Sequence, residues 1–105
     1  MLFIETPIFT EDLLTMLSDD EYREIQKELL VTPTKGALIR GSGGFRKLRW
    51  NLESKGKRGG VRIIYFWDKP SEKLYLIFIY KKSVQEDLTQ DQVKILKSLL
   101  KGVKS

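Results

Sequence analysis

The chain has 105 residues, 41% of them hydrophobic and 31% charged, which is room for one domain built on one modest core. It contains no cysteine and no histidine, excluding disulfide frameworks, thiolate nucleophiles, Cys-containing metal sites, Ser-His-Asp hydrolysis and His-based acid–base chemistry. The 19 Lys and Arg against 14 Asp and Glu leave a net charge of +5, which favours a polyanionic partner and confines any chemistry to Lys, Arg, Tyr, Asp or Glu.

In chain order, Leu2-Phe3-Ile4 reads as a short strand near a sheet edge, ended by Pro7, and Phe9 to Leu17 as a short helix. Ser18 with Glu21 matches a capping box, and Tyr22, Ile25, Leu29 and Leu30 follow at helical spacing, so a second helix is expected to about Val31, stopped by Thr32-Pro33. After the Gly41-Ser42-Gly43-Gly44 turn, Phe45 to Trp50 alternates, with Lys47 and Arg49 on one face and Leu48 and Trp50 on the other. Val61 to Trp67 and Leu74 to Tyr80 are β-branched and aromatic and are expected to form an antiparallel hairpin. Thr89 with Gln92 is a second capping box, and Val93, Leu96 and Leu100 carry a helical stripe to the C-terminus. The expected class is α+β in a single domain over 1–105.

The longest apolar run, around Ile63 to Trp67, is far short of the ~20 residues of a membrane-spanning helix. The first ten residues include Glu5 and no basic segment, unlike a secretory signal, so a cytosolic setting without membrane contact is expected. Charge is segregated: residues 1–30 carry a net −6, residues 35–62 a net +8.

Three basic features stand out. Lys47 and Arg49 lie about 6.6 Å apart on one strand face, and Arg62 joins them if the hairpin strand is in register. Arg offers a bidentate fork to phosphate, and crowding among cations favours the neutral amine that a lysine base requires. The same row also fits a solvated strand face with no function. Lys55, Lys57 and Arg58 alternate with glycines in a loop able to follow an irregular polyanion, or simply to keep a connection soluble. Tyr80-Lys81-Lys82 closes the last long strand, where functional groups often meet a cleft. Most of the aromatics, among them Phe45, Tyr65, Phe66 and Phe78, are expected in the core. Glu53 is the only acid between 35 and 62, too few carboxylates to hold paired metals, so neither metal nor cofactor is expected.

Gly41 to Arg49, then Gly56-Lys57-Arg58-Gly59-Gly60-Val61-Arg62-Ile63-Ile64-Tyr65-Phe66, then Ile79-Tyr80-Lys81-Lys82 with Asp87-Leu88-Thr89, closely resemble the HigB toxins of the RelE/ParE superfamily, and the resemblance spans nearly the whole chain. It implies a RelE-like fold, with a small antiparallel, mixed-edge sheet packed with two N-terminal helices and a C-terminal helix. It also implies the toxin of a bacterial type II toxin–antitoxin pair, a metal-independent, ribosome-dependent mRNA endoribonuclease that arrests translation in the cytoplasm. The implied partners are the 70S ribosome with mRNA and a HigA-like helix-turn-helix antitoxin, through which alone operator DNA would be contacted.

By the same resemblance, Lys47, Arg49, Arg62 and Lys82 would be catalytic: Lys47 as base or proton shuttle, the arginines as phosphate clamps, Lys82 as leaving-group stabiliser or acid. Arg46, Lys55, Lys57, Arg58, Lys81 and Tyr80 would contact mRNA or ribosome. The tyrosine that RelE carries near its C-terminal segment has no counterpart, since Asp87-Leu88-Thr89 stands there; Tyr80 or Tyr65 would substitute only by proximity. Two other readings share these residues: a ParE-like poison of DNA gyrase without ribonuclease activity, and a non-catalytic nucleic-acid-binding module.

Overall fold

The computed structural model describes residues 1–52 and 59–104. Strand β1 (Leu2–Glu5) passes through Thr6 into helix α1 (Pro7–Met16). Pro7 is preset for the first helical turn, and the Thr6 hydroxyl accepts from the Phe9 N–H at 3.1 Å. The helix therefore begins two residues before the Phe9 start expected from apolar spacing, because the proline that ends the strand also opens the helix. Helix α2 (Asp19–Val31) starts at the expected capping box: Ser18 N–H donates to Glu21 Oε1 at 2.8 Å, and Glu21 N–H to Ser18 Oγ at 3.2 Å.

Strand β2 (Ala37–Leu38) is not foreshadowed by any pattern, since two exposed residues show no alternation. Long-range tethers hold the segment before it. The buried Tyr65 hydroxyl accepts from Gly36 N–H at 2.8 Å and donates to the Pro33 carbonyl at 2.7 Å. Arg46 Nη1 donates to the Thr34 and Gly36 carbonyls at 3.1 and 2.7 Å.

Strands β3 (Phe45–Asn51), β4 (Gly60–Asp68) and β5 (Lys73–Lys81) form the centre of the sheet, whose order among the described residues is β1-β5-β4-β3-β2. Only β1 pairs in parallel, with β5; the other pairs are antiparallel, which is the mixed edge expected. Helices α1 and α2 cover one face, where Phe9, Leu13, Ile25 and Leu29 pack with Leu48, Ile63, Tyr65 and Leu76.

Helix α3 (Gln90–Lys104) begins at the second capping box, with Thr89 N–H donating to Gln92 Oε1 at 3.0 Å and Gln92 N–H to Thr89 Oγ1 at 3.1 Å. It covers part of the opposite face, setting fully buried Leu96 among Phe45, Ile64, Phe66 and Phe78. Burial of a leucine of this kind contributes about 1.5–3 kcal/mol. Gly43, at φ +84°, seats the helix end: a Cβ there would stand 2.2 Å from Leu100 Cδ2.

One irregularity governs the geometry of the site. Ile64 pairs with Phe78 but Tyr65 pairs with Leu76, so β5 holds one extra residue, and Ile77 and Phe78 both join the α3-side core. The bulge inverts the alternation of everything after it. Tyr80 and, one step on, Lys82 thereby share the α3 face, and Lys81 takes the other.

Candidate functional site

The α3 face of the sheet carries a row of polar groups at the end that the helix leaves open. Arg49 on β3 is directly opposite Arg62 on β4, and Arg62 is directly opposite Tyr80 on β5. Lys47 lies two residues along β3 on the same face. Lys82 is fixed by its backbone N–H, which donates to the Gly60 carbonyl at 3.0 Å and extends the β4–β5 ladder. Gly60 also permits the close approach of β4 to β3, because a Cβ there would come 2.3 Å from the Trp50 carbonyl oxygen. Lys47, Arg49, Arg62 and Lys82 line one cavity of about 230 Å³ together with Glu86 and Asp87. Four cations, from β3, β4 and the residue just past β5, thus converge on a space able to take an anion. Two arginines directly opposed repel each other at a cost to stability that a bound anion relieves.

Asp87, beyond β5, is the structure's own anion in this ring. Lys47 Nζ donates to Asp87 Oδ1 at 2.9 Å; the lysine side chain is 19% exposed and the aspartate 81%. The Lys47 hydrogen bond, the Lys47 charge and the Arg49 charge hold the Asp87 carboxyl below its ordinary range, so it is ionised at neutral pH. The Lys47–Asp87 pair spans 40 residues of sequence, and no local spacing signals it. Asp87 and Glu86 are the site residues that sequence reasoning missed.

The structure brings Lys47, Arg49, Arg62 and Lys82 together, with Tyr80 at the end of the row. Arg46 is not part of the group. It lies on the opposite face of β3 and is engaged by the Thr34 and Gly36 carbonyls. Lys81 is also separated, lining a cleft beside α1 with Thr15, Met16 and Leu52. Lys55, Lys57 and Arg58 lie outside the described residues.

With α1 and α2 on one face, α3 on the other, and a mixed five-stranded sheet between them, the chain has the α+β fold of RelE-type toxins. It is similar to the solved structure of the E. coli toxin RelE, a variant with two arginines replaced by alanine in the free state, with a TM-score of 0.61 and 16% sequence identity over 94% of this chain and 95% of that one. No protein-family model matches the chain.

Proposed function

We propose that this chain is the toxin of a type II toxin–antitoxin pair and an endoribonuclease that cuts mRNA on the ribosome. The observation that carries the reading is the convergence of Lys47, Arg49, Arg62 and Lys82 on one open cavity. The fold shared with the RelE toxin supports the same class. A HigB-type relationship, a helix-turn-helix antitoxin of the HigA kind and a bacterial cytoplasmic setting belong to this proposal.

RNA supplies its own nucleophile, so the protein has three tasks: to position the chain, move protons and stabilise charge. An RNA phosphate entering the cavity displaces the Asp87 carboxylate from Lys47. Lys47, whose ammonium first gives up a proton to solvent as the Asp87 pair opens, then acts as base or shuttle and takes the proton from the 2′-hydroxyl as the 2′-oxygen bonds to phosphorus. Arg49 and Arg62 clamp the phosphate oxygens and stabilise the phosphorane. The bond from phosphorus to the 5′-oxygen then breaks, and Lys82 supplies charge or a proton to the departing oxygen. The products are a 2′,3′-cyclic phosphate and a 5′-hydroxyl.

Primer extension on a defined mRNA, with and without programmed 70S ribosomes, tests the reading. The expected result is cutting that requires ribosomes and disappears in Arg62→Ala. Absence of cutting in both arms overturns it, and gyrase inhibition by the same preparation would then favour the ParE-like alternative.

A further inference from the structure

The Tyr80 hydroxyl is an unexplained feature of the cationic row. The residue is only 5% exposed, and its hydroxyl oxygen is buried with no hydrogen-bond partner among the described residues. A buried hydroxyl left in that state costs stability, so its retention calls for a ligand or a functional reason. Tyr80 lines a second cavity, of about 210 Å³, with Ile39, Leu88 and Val93 as aliphatic walls and Lys47 and Asp87 at its edge. Lys47 and Asp87 also line the cationic cavity, so the two spaces share a wall. Tyr80 is directly opposite Arg62 across β4 and β5, so the residue that lines the apolar cavity is also the cross-strand neighbour of the cationic row.

The cavity is smaller than the roughly 300 Å³ at which sites for drug-sized ligands begin. Its walls suit a flat ring held between aliphatic side chains, and its single unpartnered polar group suits one hydrogen bond to the edge of that ring. A ligand that fills both spaces carries an anion joined to a flat heteroaromatic ring. We propose that this cavity is a nucleobase subsite, in which Tyr80 Oη donates a hydrogen bond to an acceptor on the base adjoining the phosphate held by Arg49 and Arg62. This rests on the reading of the cationic cavity as an RNA phosphate site. Burial, reinforced by Asp87, pushes the Tyr80 hydroxyl pKa up, so it serves as a donor and not as the base of the reaction.

The test is equilibrium binding of a short 2′-O-methyl oligoribonucleotide, which cannot be cleaved, and of the same backbone carrying abasic sugars. Wild type, Tyr80→Phe and Val93→Phe are compared, the last filling the cavity without touching the cations. Wild type is expected to prefer the base-bearing strand. Tyr80→Phe is expected to lower that preference roughly 3- to 10-fold, the worth of one hydrogen bond, with affinity for the abasic strand unchanged and thermal stability equal or higher. Val93→Phe is expected to lower the preference likewise. Equal wild-type affinity for the two strands, no measurable affinity for either, or an unaltered preference in both variants overturns the proposal. The ribosome assay separates this outcome from the parent reading: cutting without base preference removes only the subsite, and base preference without cutting removes only the ribonuclease.

Discussion

Arg49 and Arg62 are cross-strand partners, two guanidinium groups in register on adjacent antiparallel strands of the same sheet face. Stability alone selects against such a pair, since like charges directly opposite destabilise a sheet. Arg62 Nη1 donates to its own Val61 carbonyl at 3.2 Å, and no ion pair to either arginine is found among the described residues. The arrangement is what the proposed phosphate site requires of its two clamps.

Stability and activity should therefore part at this pair. Arg62→Ala is expected to leave urea unfolding unchanged or to raise stability by about 0.2–1 kcal/mol, through loss of the repulsion. The same substitution should reduce ribosome-dependent cleavage by on the order of 10²-fold or more, as loss of a preorganised charge stabiliser does. A variant that unfolds more readily and cuts normally would contradict both halves.

Lys81 and Lys82 are adjacent in sequence but on opposite faces, and salt titration of RNA binding distinguishes them. For a single strand, each phosphate contact contributes about 0.7 to the slope of log affinity against log salt. Lys82→Ala should lower the slope by about that amount, and Lys81→Ala should leave it unchanged. Equal effects would show that the face assignment does not govern binding.

The Lys47–Asp87 pair sets an acid limb. Because the Asp87 pKa is held down in the folded state by Lys47, the pair's contribution is present above the ordinary carboxylate range and is lost as pH falls through the lowered value. Thermal unfolding followed from about pH 5 to about pH 2 should therefore show a steeper loss in wild type than in Asp87→Asn. At neutral pH, Asp87→Asn should bind the RNA backbone more tightly, because no internal carboxylate competes for Lys47.

Tyr65 holds the loop before β2 from inside the core. Tyr65→Phe strands the Gly36 N–H and the Pro33 carbonyl without their partner and is expected to cost about 1–3 kcal/mol in urea unfolding. Cleavage per folded molecule should be preserved, since the hydroxyl lies on the α1–α2 side of the sheet.

Both capping boxes, the α2 stripe of Ile25 and Leu29, the alternation of Lys47 and Arg49 against Leu48, and the hairpin of β4 with β5 were legible in the sequence. Each depends on residues within a few positions of one another, where period and cap chemistry act directly on the backbone. Thr6 and Pro7 moved the start of α1 because one proline serves both strand end and helix start. Ala37 and Leu38 carried no periodic signal, and their place beside Lys47 and Arg46 depends on tethers from residues far along the chain.

The sequence by itself determined the kind of chemistry open to this protein: without histidine or cysteine, and with cations gathered between 35 and 62, its candidate site had to be a cluster of Lys and Arg. Which cations share the site was decided only in the tertiary structure. Uninterrupted alternation from Leu74 and Leu76 would have turned Tyr80 and Lys82 toward α1 and α2 and brought Lys81 beside Arg62. The extra residue at Ile77 reverses that parity, and a bulge of this kind is set by how two strands and a helix pack against each other, which no spacing within β5 reveals. Asp87 reached Lys47 for the same reason: the contact belongs to the folded sheet and to the turn beyond it, not to either segment alone.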